Sequence, residues 1–200
     1  MFPPILSGGG GKVQGGNRDV TQEFLQDAVV ADLEQLFQGE TLKNSAGEDR
    51  RIRVYPQDLP IRAGADIEPD PEPVEEDPEE EQLEDQPTAE TEPEDVPEPY
   101  VIVRVPGGEL PAQDTRQQVE VILVVCVYDP DPGRQGFRDA LHIVNTIMTH
   151  YGKNGIVGRR YEVQYPIKWV TQEEDTHPYY FAGVALNLAA PAIFKEVPET

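Results

Sequence analysis

The residues best placed to do chemistry lie in one stretch, TQEEDTHPYY, residues 171–180. Glu173, Glu174 and Asp175 run together, His177 follows two positions on, and Pro178 and Tyr179 close the run. A carboxylate beside an imidazole can exchange protons with a substrate, provided that both are held rigidly in a concave, partly dry site. Asp175 and His177 could also supply two ligands to a metal ion, which would need at least two more from elsewhere. No second histidine, glycine-rich oxyanion turn or nucleophile shares the pattern. The acids are consecutive and polar between two apolar runs, which is the composition of a turn. Pro178 stiffens its exit. A plain turn, or a turn used for protein contact through Asp175, His177 and Tyr179, accounts for the stretch. A small hydrolase or metal enzyme built on Asp175 and His177 is the competing reading.

Other candidates are weaker. GGGGK at 8–12 has the look of a phosphate loop, but Leu6 stands where a glycine belongs and Val13 where Ser or Thr belongs, and no strand precedes it. Cys126, the single cysteine, lies inside the apolar run VEVILVVCVY and reads as a buried, inert thiol. His142 and His150 fall eight apart with no acid at matching spacing, so they read as surface or boundary histidines. Arg50, Arg51 and Arg53 could meet an acidic neighbour or simply decorate a solvated strand edge. No cofactor is expected.

The elements that must position these groups follow from periodicity. Residues 21–38 carry Leu25, Ala28, Val29, Leu33, Leu36 and Phe37 at helical spacing, with Asp19 or Thr21 as cap and Gly39 as stop. Residues 50–62 predict a short strand broken by Pro56, then extended chain. Residues 99–110 predict a strand ending at Pro-Gly-Gly, and 116–129 a longer one. The latter is apolar on both faces, so it is expected to be central, with helices on one side and a neighbouring subunit as candidate cover on the other. After a turn at 129–136, a second helix carries the stripe Phe137, Leu141, Val144, Ile147, Met148 and Tyr151. Strands at 159–170 and 179–193 follow, with a bulge expected near Gly183. Trp169 and Tyr165 fit either core or interface. The order gives an α+β two-layer domain, a mostly antiparallel sheet with two helices on one face.

Charge divides the chain. It has 38 acidic and 16 basic residues, a net charge of -22. Residues 66–99 hold 17 of the acids and no Lys or Arg, leaving 21 acids against 16 bases elsewhere. Nucleic-acid binding, which needs clustered cations to displace counterions, is disfavoured. The expected organisation is a flexible Gly-rich arm at 1–18, one domain from 19–63 and 99–195, and a disordered acidic insert at 64–98. The insert is either a solvated loop or an acidic arm for a basic partner. No apolar run approaches a membrane span, and the N-terminus lacks the basic start and long apolar region of a secretory signal.

The run VYDPDPGRQG, then DALHIVNTI, GRRYEVQYPIKWV, EEDTHPYYFAGVALNL and APAI, about residues 119–193, resembles the tail terminator (tail completion) proteins of long-tailed phages and prophages. The helix at 21–38 followed by RIRVYPQDLPIR fits the same order. The resemblance implies a structural virion protein with no catalytic residues that forms a hexameric ring. The ring would cap the tail tube, end its elongation and offer a head–tail joining surface to neck proteins. DNA would pass through the ring without sequence-specific binding. The implied location is the virion tail or neck, with the host cytoplasm during assembly. Another head–tail connector or minor capsid protein is the alternative. Contact surfaces would fall on the turns 171–178 and 129–136 and on the strand with Arg50, Arg51 and Arg53.

Overall fold

The computed structural model describes residues 22–60 and 97–192. The predicted N-terminal arm, and the acidic insert up to residue 96, lie outside these. The insert's expected last residues do not behave as solvated chain: Glu98 is buried, and one of its carboxylate oxygens accepts the Ser45 N–H.

The first element is helix α1, Gln22–Leu36. A small hairpin follows, β1 (Thr41–Lys43) and β2 (Asp49–Arg51), antiparallel and separate from the main sheet. Periodicity does not reveal this hairpin, because each strand is three residues long and Leu42 is the single apolar residue in the pair. Its turn instead shows in the φ of 78° at Gly47, which favours glycine. Next come β3 (Arg53–Pro56), β4 (Tyr100–Glu109), β5 (Gln117–Tyr128), helix α2 (Gln135–Lys153), β6 (Ile156–Val157), β7 (Tyr161–Thr171) and β8 (Tyr179–Ala190). The six main strands are ordered β3-β4-β5-β8-β7-β6. All neighbours are antiparallel except β3 and β4, which run parallel. Parallel neighbours cannot be joined by a tight turn. The acidic insert therefore occupies a connection that the topology requires to be long.

Alternation along β5 sets the layers. Val119, Val121, Leu123, Val125 and Val127 point to the helices and are at most 1% exposed. Leu25, Val29 and Leu33 of α1, with Phe37 just past its end, are spaced by four and pack onto this face beside Ala140, Ile143, Val144, Ile147 and Tyr151 of α2. Both helices thus lie on one side, as the order predicts. The other face carries a smaller cluster of Tyr100, Ile102 and Cys126, flanked by Tyr55, Leu59, Val124 and Phe181. Neither helix covers it. The helices run antiparallel, tied where His150 Nε2 meets Asp32 Oδ2 at 2.7 Å.

Three expectations are corrected. Strand β4 does not stop at Pro-Gly-Gly but continues through it to Glu109. A Cβ on Gly108 would stand 2.5 Å from the Gln118 carbonyl oxygen, so glycine is what lets the two backbones pair there. No bulge occurs at Gly183, which pairs in register with Val124 and Val170. The irregularities fall instead between Arg104 and Gly107 on β4 and between Gln164 and Lys168 on β7. Each spans a proline, Pro106 or Pro166, which has no N–H for the ladder. Finally, α2 is rotated from its predicted stripe. Phe137, Leu141 and Met148 sit on the flank, and Gly136 and Ala140 face inward with Ile143.

The rotation depends on Gly136. A Cβ there would meet Tyr180 Cδ2 at 2.5 Å and Asp129 Cβ at 2.6 Å. Gly136→Val is therefore expected to destabilise the fold by about 1–3 kcal/mol, the usual cost of overpacking. A lower urea midpoint with an unchanged slope is the outcome that checks it.

Candidate functional site

The turn with the candidate chemistry is held by its own polar groups. Thr176 Oγ1 donates to Gln172 Oε1 at 2.9 Å, and the Phe181 N–H donates to the same Oε1 at 2.8 Å. The Tyr179 N–H returns to the Thr176 carbonyl at 2.9 Å. Asp175 is occupied on both oxygens. Oδ2 lies 2.7 Å from Arg134 Nη2, and Oδ1 accepts the His177 N–H at 3.2 Å. The Arg134 guanidinium, then that N–H, hold the Asp175 carboxyl below the usual carboxylate range, and Asp175 in turn favours the charged guanidinium. The His177 ring stands perpendicular to Tyr180, centroids 6.4 Å apart. Asp175 and His177 thus share a turn, but the carboxylate oxygens are engaged by Arg134 and by the His177 backbone N–H rather than by the imidazole. Among the described residues no group of three or more His, Cys, Asp or Glu could hold a metal.

The turn is tied to the one before α2. The Asp129 N–H donates to the Pro178 carbonyl at 2.9 Å. Asp129 also accepts the Asp131 N–H at 3.0 Å and the Gly136 N–H at 2.5 Å, so its carboxylate satisfies a donor at the start of the helix that Arg134, the residue before it, leaves uncapped. Arg134 was not among the residues singled out from sequence. Its only signal is its place after DPDPG, opposite an acid 41 positions away.

The predicted contact residues come together at one end of the sheet. Arg53 pairs with Tyr100, Tyr100 with Cys126, and Cys126 with Phe181. Three strand spacings, about 14 Å, separate the arginine edge from the start of β8. Tyr179 stands next to that row, packed edge-on to Tyr128 at 5.3 Å and 38% exposed. On the arginine side, Arg50 Nη2 meets Glu48 Oε2 at 2.8 Å, and Arg53 Nη1 donates to the Tyr55 hydroxyl at 3.3 Å. Arg51 and Arg53 line a depression of ≈ 400 Å³ with Glu34, Gln38 and Tyr55. A second depression, of ≈ 310 Å³, lies beside the turn, between Arg134, Phe137, Glu173, Glu174 and Tyr180. The C-terminal end of α1 and the start of α2 place both at the same end of the molecule. One flank is rich in arginine and the other in carboxylate.

The histidines and the cysteine fall where their spacing suggests. His142 is exposed, 3.9 Å from Glu40, and His150 is the partly buried interhelical link. Cys126 is buried, and burial pushes its thiol up to about 12, against a hydrogen bond with Tyr100 that favours the thiolate. Trp169 and Tyr165, undecided from sequence, are 55% and 70% exposed. No helix among the described residues is long and apolar enough to cross a membrane.

No protein-family model matches the chain, and no curated protein matches it.

Two outcomes follow from the titrations. The Asp175 carboxyl should titrate below its ordinary 3.8, and Arg134→Ala should return the midpoint towards that value, read by carboxyl NMR shifts. A lowered folded-state midpoint means that the tie is in place above the unfolded value and is lost as pH falls through the lowered one. Cys126 should be inert to a thiol reagent in native protein at pH 8 and react once unfolded, since only the thiolate attacks.

Proposed function

We propose that this protein is a structural subunit of a phage tail, a terminator that closes on itself as a ring of about six copies and caps the tube of the tail. The observation that carries this reading is the convergence of the three predicted contact segments at one end of the sheet. Arg50, Arg51 and Arg53 lie on one flank, with the tied turns containing Asp175, His177 and Tyr179 on the other. A closed ring needs two different, mutually complementary surfaces on each subunit, and oppositely charged flanks at one rim suit that arrangement. The sheet face left uncovered by the helices, with Tyr55, Phe181 and Val170, supplies apolar surface beside them.

In this reading the polar groups of the turn build a rigid contact surface and perform no catalysis, and no cofactor takes part. Tail-tube and neck proteins are the partners. An acidic or neutral lumen would let the duplex slide, where a basic one would grip it through its phosphates. The same reading places the protein in the virion tail or neck.

Light scattering on the purified protein, with negative-stain microscopy of the same sample alone and mixed with tail tubes, tests it. Rings of about six subunits, or caps on tube ends, are expected. Reversing charge with Glu173→Lys and Glu174→Lys together should leave the circular dichroism unchanged and abolish ring formation. A monomer that ignores tube ends at all concentrations overturns the reading.

A further inference from the structure

Two strands of the main sheet keep an open outer edge. Among the described residues β3 pairs only with β4, and the residues Arg51 to Tyr55 line a depression of ≈ 400 Å³. Strand β6 covers only the start of β7: Val157 pairs with Tyr161, and the Gly155 carbonyl accepts the Val163 N–H at 2.9 Å. From Lys168 to Thr171 no described strand pairs with β7 on that side. Trp169 and Val170 stand exposed there, 55% and 63%. An exposed apolar edge is a template for a further strand.

The ladders fix how these two edges align in a sheet that continues from one copy to the next. Tyr55 pairs with Ile102, Ile102 with Val124, Val124 with Gly183, and Gly183 with Val170. Tyr55 and Val170 therefore stand at one level and on one face, the face without helices. The adjacent rows run in the same way from Val54 to Thr171 and from Pro56 to Trp169. Direction agrees. Strands β3 and β4 are parallel and three antiparallel steps lead from β4 to β7, so the β3 of a neighbouring copy meets β7 antiparallel.

Hydrogen-bond phase agrees too. The N–H groups of Arg53 and Gln57 donate to the Pro99 and Val103 carbonyls beside them, so by alternation the N–H and C=O of Val54 point outward. The Gln172 N–H donates to the Phe181 carbonyl at 3.2 Å, so the N–H and C=O of Thr171 point outward. Val54 and Thr171 share a level, and each can donate to the other's carbonyl. A slip of one residue loses both bonds and sets the faces at odds. Charge agrees as well. The chain entering β3 carries Arg50 and Arg51, and the chain leaving β7 carries the exposed Glu173 and Glu174. Antiparallel pairing brings these opposite charges together.

We infer that β7 of one copy pairs antiparallel with β3 of a second copy, Thr171 opposite Val54 and Val170 opposite Tyr55, so that the main sheet runs on from subunit to subunit. The inference rests on the ring reading above and names its joint. Pro56, which lacks an N–H, ends the ladder and sets its ring beside Trp169. Two different edges of one chain make the contact heterologous, as a ring requires.

Tyr55→Cys and Val170→Cys in one chain place thiols on a non-hydrogen-bonded pair, with Cα atoms about 4.5 Å apart and within disulfide reach. Oxidation of the folded double variant should give a disulfide-linked ladder of up to about six copies, and neither single variant should pass a dimer. Thr171→Pro removes the outward N–H and should abolish rings with circular dichroism unchanged, whereas Thr171→Val keeps the N–H and should leave them intact. If the proline variant does not fold, the disulfide ladder decides. Wild-type rings without a ladder from the double variant overturn this joint and leave the ring reading standing. Rings that survive Thr171→Pro but no longer cap tubes give the edge to the tube protein and also overturn the joint. A wild-type chain that never associates overturns both.

Discussion

Every layer of this fold is organised by β5. It is the longest apolar run in the chain, and it pairs along nearly its whole length with both β4 and β8. Burial of its five helix-facing side chains removes each from water, at about 1.5–3 kcal/mol for a valine- or leucine-sized group. Both helices contribute side chains to that burial. Helix α1 packs on β3 and β4 and reaches β6, α2 packs on β5, β8 and β7, and the His150–Asp32 contact joins the two helices. The opposite face of β5 is apolar too, and the helices contribute nothing to it.

The chemistry-bearing turn is subordinate to this frame. It closes the β7–β8 hairpin, with Gln172 and Thr176 holding that closure and Asp175 held by Arg134 just before α2. Asp129 and Asp175 show how. One satisfies N–H groups near the helix start, and the other fixes the arginine beside it. A carboxylate whose lone pairs already meet donors is poorly available to a proton or a metal, yet it makes a stiff surface. Stiffness is what a contact surface needs, because side chains that are already ordered lose less entropy on binding.

Much of the fold was legible in the sequence because its signals are local. The four-residue spacing of Leu25, Val29, Leu33 and Phe37 defines α1, and the alternation in β5 defines the layers. The short β1–β2 hairpin was not legible, since three residues are too few to show a period. Imperfect alternation of Phe181, Val184, Leu186 and Leu188 suggests a bulge near Gly183, whereas the irregularities fall at Pro106 and Pro166, which lack the N–H. The site was legible in part. Asp175, His177 and Tyr179 are singled out by type and spacing, and the arginines by their cluster. That both groups share one end of the sheet depends on the strand order, and Arg134 depends on a contact 41 residues away. Neither can be read from a window of sequence.

The parallel pairing of β3 with β4 has a consequence for how the chain could be divided. Residues 22–60 and 97–192 meet through a ladder from Arg53↔Tyr100 to Pro56↔Val103 and through the side chains of α1 in the common core. Covalent continuity between them runs only through the long crossover. Severing it would leave two complementary fragments, the smaller bringing Leu25, Val29, Leu33, Phe37, Ile52 and Val54 to a core that the larger mostly supplies. With the crossover intact, association of the two parts is intramolecular and independent of protein concentration; once it is cut, association becomes concentration-dependent.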